Sequence, residues 1–354
     1  MKIIEVIPTL NVGGAEAFVV NISNAFVAEG HTCKVVTLFD ISDDNTLVQR
    51  LVDNVTRESL GKSNGFDLKC LFNVFRLIKR TKPDVVHVHI GAISYLLLAA
   101  MFYRRCKYYA TIHSEASREA GGLTTRLIRK ILFKLKLVTP ITVSHDSMLS
   151  FKNFYGFEPS IIYNGVPEVT SKVFENYEKK VFIHAASCQP VKNQILLFNA
   201  FKKVSERNSD VELHWFGSHN QYESLFDELR ELLGDKIIYK GVTQDIRKYL
   251  RHARAMCLSS NMEGMPMTII EAMSVGCIPV TTPVGGCVNM IENGINGFLS
   301  SDMSVDAYAE CLEKVINISD EDLILMRKAA RNTYEQKYTI RKTADEYITL
   351  FTQG

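Results

Sequence analysis

The chain has 354 residues, of which 46% are hydrophobic, a length that predicts about two domains, each with its own core. The formal net charge is only +2, which argues against a nucleic-acid-binding protein. The eight cysteines include no CxxC pair and several lie in apolar runs, which predicts buried thiols in a reducing compartment and argues against a disulfide framework or a zinc site.

The N-terminal half alternates short β-branched runs with helical patterns. The first apolar run contains Glu5 and is therefore predicted to be a strand and not a signal peptide. The longest apolar run, 93–103, is about half the length of a membrane span and predicts a buried helix. Strands are predicted at 3–7, 35–39, 84–88, 108–112, 141–143 and 161–163, and helices at 15–28, 68–79, 92–103 and 123–138.

A second series follows the polar segment 170–180. Strands are predicted at 181–185, 211–216, 237–239, 255–258 and 278–281, with helical patterns between them and over 320–351. Strands that alternate with helices form parallel sheets covered on both faces. The predicted fold is therefore α/β with two doubly wound, Rossmann-like domains, 1–166 and 167–335, which face each other across a cleft. Ligands bind at the carboxyl ends of such strands.

The segment NMEGMPMTIIEAMSVGCIPV, 261–280, combines two glutamates with the start of a helix. Pro266 is favoured at a first helical position, which leaves Glu263 in the preceding loop and Glu271 roughly 7–8 Å along the axis. Backbone N–H groups between the carboxylates would bind an anion, helped by the helix dipole. A nucleotide sugar fits this pattern, with the diphosphate on the N–H groups and ribose and sugar hydroxyls on the carboxylates. The predicted donor-binding residues here are Glu263, Gly264, Met265, Pro266, Met267 and Glu271.

This segment closely resembles the donor-binding signature of family 4 retaining glycosyltransferases, whose two-Rossmann fold is called GT-B. The resemblance spans nearly the whole chain. It implies that Glu263 approaches the donor sugar and Glu271 holds the ribose. It also implies that the N-terminal domain binds the acceptor, that the C-terminal domain binds the nucleotide sugar, and that a final helix, 336–354, packs back on the N-terminal domain.

Two glycine pairs add to the resemblance. Gly13 and Gly14, in PTLNVGGAEAF, follow the first strand, and backbone without side chains can approach a phosphate or sugar closely. Gly285 and Gly286, in PVGGCVNM, offer further N–H groups to the donor. The family commonly has a Glu shortly after the second pair, and Asn289 takes its place here.

Lys192, in ASCQPVKNQ, is predicted to lie in the loop after the first strand of the C-terminal domain. A fixed cation there would stabilise the charge that develops on the leaving diphosphate. The family pattern places Gly-Arg five or six residues before this Lys, but Ala186 and Ser187 stand there in this chain. The sequence therefore predicts one cation where relatives have two.

His113, in YATIHS, ends a predicted strand, and the family has a His at a matching position that contacts the donor sugar. Together with Glu263 and Lys192, it completes the predicted catalytic set. His87 and His89 share one face of the strand VVHVH. A metal is conceivable there, but no acidic third ligand is evident, and we interpret both as structural.

A literal DxD motif, Asp320 and Asp322, is better explained by an acidic first helical turn with Ser319 as N-cap. Metal-dependent glycosyltransferases use such a pair to hold a divalent ion. Because Lys192 and helix dipoles already supply positive charge, the sequence predicts no metal and no other cofactor.

The stretch between Glu119 and Asp146 contains no acidic residue, and its basic residues are interleaved with apolar ones. This pattern predicts either a core-packing helix with a solvated basic face or a helix that lies on an anionic membrane surface. A cytoplasmic protein is expected in either case, and the second alternative would place it on the inner face of the membrane with a lipid-linked acceptor. The basic residues are Arg126, Arg129, Lys130, Lys134 and Lys136.

The expected function is that of a metal-independent, retaining hexosyltransferase. It would move a sugar from a nucleotide-diphosphate sugar to a glycan or polyprenyl-linked acceptor in surface polysaccharide synthesis, with no nucleic-acid partner. Two alternatives stay open. A nucleotide-sugar epimerase or hydrolase on the same fold would turn over the donor without an acceptor. A non-catalytic subunit is motivated by Ser187 and Asn289.

Overall fold

A computed structural model describes residues 1–11, 13–42, 45–169, 180–219 and 222–353. The chain divides into two compact units, Met1–Pro167 with Thr339–Gly354, and Glu168–Tyr338. Most of the polar segment predicted to link two domains, 170–179, lies outside the described residues.

The first unit is built on a seven-stranded parallel sheet with strand order β3-β2-β1-β4-β5-β6-β7. Its strands are β1 (Lys2–Ile7), β2 (Thr32–Thr37), β3 (Thr56–Ser59), β4 (Val85–His89), β5 (Lys107–Ile112), β6 (Thr139–Thr142) and β7 (Ser160–Ile161). Its helices before the crossover to the second unit are α1 (Gly14–Ala28), α2 (Leu68–Thr81), α3 (Leu97–Phe102), α4 (Ala116–Glu119), α5 (Leu123–Lys134) and α6 (His145–Tyr155). Two 3₁₀ turns, Val48–Arg50 and Ile90–Leu96, complete it.

The second unit has a six-stranded parallel sheet with strand order β10-β9-β8-β11-β12-β13. Its strands are β8 (Lys180–Ala185), β9 (Val211–Phe216), β10 (Ile237–Gly241), β11 (Ala255–Leu258), β12 (Pro279–Thr281) and β13 (Phe298–Leu299). Its helices are α7 (Gln194–Ser205), α8 (Glu223–Arg230), α9 (Arg247–Leu250), α10 (Met267–Ser274), α11 (Gly286–Met290), α12 (Val305–Asn317) and α13 (Asp320–Lys337), with a 3₁₀ turn at Pro190–Lys192. The predicted α/β class with two Rossmann-like domains is confirmed.

The final helix, α14 (Ile340–Gln353), belongs to the first unit. Its Tyr347 is fully buried, packs edge-on against Phe26 with ring centroids 6.5 Å apart, and shares a 2.9 Å hydrogen bond with Thr111 on β5. The chain enters this helix beside Gly165, where a Cβ would lie 2.7 Å from the Thr339 carbonyl oxygen. This close approach of two backbones requires glycine.

Several predicted boundaries were wrong. Residues 92–103 lie in the 3₁₀ turn Ile90–Leu96 and in α3, which follows it, because a run with almost no polar residues has no periodic pattern that distinguishes the two kinds of helix. The predicted helix 123–138 ends at Lys134, since Lys136 adopts the left-handed conformation with a φ of 51°. The predicted helical region 320–351 is two helices, α13 and α14.

All eight cysteines are free and buried, as predicted. Within the described ranges, no helix has the length and apolar content needed to cross a bilayer.

Candidate active site

In both sheets the strand order reverses between two adjacent central strands, β1 and β4 in the first unit and β8 and β11 in the second. Loops that leave the carboxyl ends on either side of such a point run in opposite directions, and open α/β sheets bind ligands there. Gly13 and Gly14 follow β1, Lys192 follows β8, and Glu263 follows β11. Each unit therefore carries predicted site residues at its own switch point.

Lys192 and Glu263 form an ion pair in the second unit, with 2.7 Å between Nζ and Oε1. The Ser260 hydroxyl donates to the same carboxylate oxygen at 2.6 Å. The side chains of Lys192 and Glu263 are 24% and 10% exposed. An ammonium has three N–H donors, so Lys192 can bind phosphate oxygens while it keeps its bond to Glu263.

The loop after β8 is tied to the loop after β11 by several hydrogen bonds. The Asn261 N–H donates to the Val191 carbonyl at 2.8 Å, and the Ser259 hydroxyl donates to the Lys192 carbonyl at 2.9 Å. The Asn193 amide donates to the Asn261 side chain at 3.0 Å. These bonds fix the backbone that carries Lys192 relative to the backbone that carries Glu263.

Gly285 and Gly286 lie directly against this second loop. Gly285 has a φ of 46°, and a Cβ there would lie 1.8 Å from the Glu263 carbonyl oxygen. A Cβ on Gly286 would lie 2.1 Å from the Gly264 carbonyl oxygen, which accepts from the Gly286 N–H at 3.1 Å. The glycines therefore allow two backbones to meet beside Glu263, and their contact with a donor stays a prediction.

Helix α10 starts at Met267, one residue later than predicted, and Pro266 is its N-cap. The cap has no side-chain hydrogen bond, unlike the Asp67 cap of α2 and the Ser319 cap of α13. First-turn N–H groups lack partners within their helix, so the start of α10 suits an anion. Glu271 is the fifth residue of α10 and is half-buried.

The DxD interpretation is confirmed at the start of α13. The Ser319 hydroxyl accepts a 3.1 Å hydrogen bond from the Asp322 N–H, and the first turn is acidic. At the position of the family arginine, the Ser187 hydroxyl accepts from the Gln189 amide at 3.0 Å. Asn289 is exposed on α11.

His113 follows β5 in the first unit and is partly buried. Its Nε2 lies 2.9 Å from His89 Nδ1, and its backbone N–H donates to the Glu119 carboxyl group at 3.1 Å. Burial lowers the pKa of His113 well below its usual range and raises the pKa of Glu119 to about 7, although the charge of Arg129 opposes the latter shift. The His113 ring is therefore neutral at pH 7.

The interpretation that His87 and His89 lack an acidic neighbour was wrong. Glu5 pairs with His87 in the β1–β4 register, and its carboxylate lies 3.0 Å from His87 Nδ1 and 2.6 Å from His89 Nε2. All three side chains are fully buried. These distances fit hydrogen bonds, since ligand atoms around a tetrahedral zinc ion lie about 3.4 Å apart for bonds of about 2.1 Å.

The prediction for Arg129 was also wrong. It is 1% exposed, so it does not belong to a solvated or membrane-facing surface. Its Nη2 donates at 2.5 Å to the carbonyl of Ile90, a residue with a φ of 52° directly after β4. A β-branched residue in this left-handed conformation is strained, and the buried guanidinium helps to hold it there.

The rest of α5 has two distinct faces. Ile128, Leu132 and Phe133 are buried in the core of the first unit. The opposite face presents an apolar stripe at intervals of four residues, made of Leu123, Leu127, Ile131 and Leu135. The exposed basic residues beside this stripe are Arg126, Lys130, Lys134 and Lys136.

Comparison with known proteins agrees with the site motifs. The family model described as Glycosyltransferase Family 4 matches residues 12–168, and the model described as Glycosyl transferases group 1 matches residues 167–336. The UDP-Gal:alpha-D-GlcNAc-diphosphoundecaprenol alpha-1,3-galactosyltransferase of Escherichia coli is 25% identical over 315 residues, which cover 80% of this chain and 79% of that protein. The N-acetyl-alpha-D-glucosaminyl L-malate synthase of Bacillus anthracis is 22% identical over 303 residues, which cover 81% of this chain and 79% of that protein.

Solved structures show the same fold. HepE of Anabaena in complex with UDP matches with a TM-score of 0.81 and 18% identity, and the match covers 100% of both chains. TarM of S. aureus, in a complex that contains UDP, matches with a TM-score of 0.83 and 14% identity over 100% of both chains. Since the two family models follow one another across 12–336 and both units have the matching fold, the chain belongs to the family 4 glycosyltransferases of the GT-B fold.

Proposed function

We propose that this glycosyltransferase is a retaining, metal-independent hexosyltransferase that uses a nucleotide-diphosphate sugar. The Lys192–Glu263 pair beside the switch point of the second sheet carries the proposal. Lys192 and the N-terminus of α10 would neutralise the diphosphate, which gains negative charge as it leaves. Because these groups supply positive charge where other enzymes use a divalent ion, we expect full activity in EDTA.

The carboxylates would orient the two ends of the donor. Glu271 would accept hydrogen bonds from the ribose, and Glu263 from the transferred sugar. Retention requires the acceptor hydroxyl to attack on the face from which the diphosphate leaves, and a leaving phosphate oxygen would take its proton. The E. coli relative is named for transfer from UDP-Gal to a diphosphoundecaprenol-linked sugar, so a UDP-sugar and a polyprenyl-linked acceptor in surface polysaccharide synthesis are the first candidates here.

The donor is tested by the thermal stability of the protein with a panel of UDP-, GDP- and ADP-sugars in EDTA. A ligand at 100 times its dissociation constant should stabilise the wild type by about 2.7 kcal/mol. We expect one nucleotide to do so and the effect to disappear in Glu271→Ala. Glu228→Ala, which changes an exposed glutamate of α8, should respond like the wild type. Absence of stabilisation by every sugar nucleotide would contradict donor binding.

A second assay separates transfer from the alternative reactions. With the donor alone, a transferase should release little nucleoside diphosphate, and release should rise when a polyprenyl-diphosphate-linked sugar is added. Rapid release of nucleoside diphosphate without an acceptor would favour a hydrolase. Conversion of the donor to an isomeric nucleotide sugar without that release would favour an epimerase, and binding with neither reaction in either condition would favour a non-catalytic subunit.

We also propose that the exposed face of α5 binds an anionic membrane surface. Its apolar stripe can enter the headgroup boundary while the neighbouring cations meet lipid phosphates. A lipid-linked acceptor resides at such a surface, which connects this face with the proposed reaction. Leu123 is 84% and Leu127 60% exposed. With Ile131 and Leu135 they form an apolar patch in contact with water, and such patches mark interaction surfaces more often than single exposed leucines do.

Vesicle sedimentation tests this surface. The wild type should bind vesicles that contain phosphatidylglycerol and not vesicles of phosphatidylcholine alone. Leu123→Ser with Leu127→Ser should weaken binding at least about tenfold, because each leucine loses its apolar transfer energy. Leu325→Ser, which changes a 62% exposed leucine of α13, should bind as the wild type does. Equal binding by all three proteins would contradict the proposal.

A further inference from the structure

A chain of hydrogen bonds runs through the core of the first unit and ends at His113. The Glu5 carboxylate meets His89 Nε2 at 2.6 Å, and His89 Nδ1 meets His113 Nε2 at 2.9 Å. Glu5 and His89 are fully buried, and the His113 ring packs against Phe18 with centroids 5.6 Å apart. His89 is the last residue of β4 and His113 directly follows β5, the strand beside it. Glu5 lies two residues before the end of β1, on the other side of β4.

The chemistry of these groups fixes the direction of each bond. An ionised carboxylate only accepts, so His89 must carry a proton on Nε2. A neutral imidazole has one N–H and one lone pair, so His89 Nδ1 is then an acceptor. The atom that faces it, His113 Nε2, must therefore be the donor. His113 is left with its lone pair on Nδ1.

The charge states support this assignment. Burial alone would raise the pKa of Glu5, but the charge of His87 and the hydrogen bonds from both histidines outweigh burial and lower that pKa to about 2. Burial and the neighbouring His87 lower the pKa of His89 to about 4. At pH 7 the carboxylate is therefore ionised and His89 is neutral. The opposite tautomer of His113 would set two lone pairs against each other at 2.9 Å.

A second branch holds the carboxylate in place. His87 Nδ1 donates to Glu5 at 3.0 Å, and His87 Nε2 shares a 2.7 Å hydrogen bond with the Thr111 hydroxyl. Thr111 in turn meets the Tyr347 hydroxyl of α14 at 2.9 Å. Glu5 is thus fixed from both sides and cannot rotate away from His89 without breaking this branch.

We propose that Glu5 and His89 are positioning residues that lock His113 in the tautomer with its proton on Nε2, so that Nδ1 accepts a hydrogen bond from a hydroxyl of the donor sugar. The tautomer follows from contacts within the first unit, whereas the contact with the sugar rests on the transferase function proposed above. A network with a purely structural role would stabilise the fold without any effect on His113 chemistry.

The tautomer can be read directly by nitrogen NMR of the full chain labelled with ¹⁵N-histidine. The His113 signals are identified by their loss in His113→Asn. We expect a protonated Nε2 and an unprotonated Nδ1 at pH 7, and the Nδ1 signal should move on addition of the nucleotide sugar that stabilises the protein but not on addition of its nucleoside diphosphate. A protonated Nδ1 in the free protein would overturn the proposal.

Two variants of His89 separate positioning from stability. His89→Asn keeps a carbonyl oxygen near the position of Nδ1 and can still accept from His113, whereas His89→Gln keeps an amide near the position of Nε2 and loses that acceptor. We expect kcat to fall about 10- to 100-fold in His89→Gln, the effect of one buried donor left without a partner, and to change only a few-fold in His89→Asn. The single His113 tautomer should persist only in His89→Asn.

The outcomes distinguish this inference from the proposed function. Equal losses of kcat in both His89 variants, with the His113 tautomer unchanged, would mean a structural role and overturn the inference. If no nucleotide sugar binds the wild type while His113 carries its proton on Nε2, the transferase proposal and the sugar contact fail but the positioning roles of Glu5 and His89 stand. If the donor turns over and His113 carries its proton on Nδ1, only this inference fails.

Discussion

Replacement of Lys192 by methionine is expected to lower kcat about 100- to 1000-fold, the range for loss of one fixed group that stabilises developing negative charge. Its Nζ stands at the carboxyl end of β8 and bonds to Glu263 at 2.7 Å. Because Ser187 occupies the position of the family arginine, Lys192 has no arginine there to share the charge of the diphosphate. The loss should therefore fall on the chemical step.

Steady-state kinetics and donor binding together test this expectation. Lys192→Met should change kcat far more than the dissociation constant of the donor, since the charge on the diphosphate grows in the transition state. Lys192→Arg keeps the charge and should recover part of kcat. Lys202→Met, which changes an exposed lysine of α7, should resemble the wild type. A fall in kcat of less than about threefold, below the weakest such effect expected, would mean that Lys192 is a structural partner of Glu263.

The stability of Lys192→Met must be measured in the same experiment. The substitution removes the ion pair of the Glu263 carboxylate, which is 10% exposed, and leaves its hydrogen bond from the Ser260 hydroxyl. A largely buried charge that loses its partner lowers the free energy of unfolding. An unchanged fold with a large loss of kcat would assign the effect to chemistry, and a collapsed fold would be revealed by the thermal midpoint.

Strands and motif positions could be predicted because their signals are local. The buried strands β1 and β4 are rich in Val and Ile, and each is interrupted by a polar residue, Glu5 or His87, whereas β3 has the sequence Thr56-Arg-Glu-Ser59 and β13 is two residues long. These two strands have no pattern of their own. They form because a neighbouring strand offers backbone partners at the edge of the sheet, and an edge contact is not encoded in a short polar or dipeptide segment.

The buried network around Glu5 could not be predicted for a different reason. Glu5 and His87 are far apart in sequence and become neighbours only through the strand order that places β1 beside β4. Arg129, by contrast, left a usable signal. It lies three and four residues before Leu132 and Phe133, which face the core, so helical spacing already placed it on the buried side.

The structural role of Gly285 could not be predicted from the sequence either. Its place in a glycine pair after a strand suggests contact with a ligand, whereas in the structure a Cβ there would collide with the Glu263 carbonyl oxygen. Gly285→Ala is expected to lower the free energy of unfolding by about 2–4 kcal/mol and activity by more than about 100-fold. The backbone of Gly285, with a φ of 46° and a ψ of −134°, lies outside the left-handed helical region in a conformation that side chains rarely adopt, which accounts for about 1–3 kcal/mol of the loss. The remainder arises because the new Cβ would lie 1.8 Å from the Glu263 carbonyl oxygen, so that one of the two backbones must move.

That movement is what couples the substitution to activity. The Glu263 carboxylate forms the ion pair with Lys192, and a shift of about 1 Å in the position of such groups can lower the rate about 100-fold. Gly294→Ala is the control for a positive φ, because Gly294 has a φ of 80° but no atom within 4 Å of the position that a Cβ would take. It should lose only the conformational term of about 1–2 kcal/mol and keep its activity. Chemical denaturation and initial rates measure both quantities, and equal effects of the two alanines would show that backbone strain alone, and not contact with Glu263, makes Gly285 necessary.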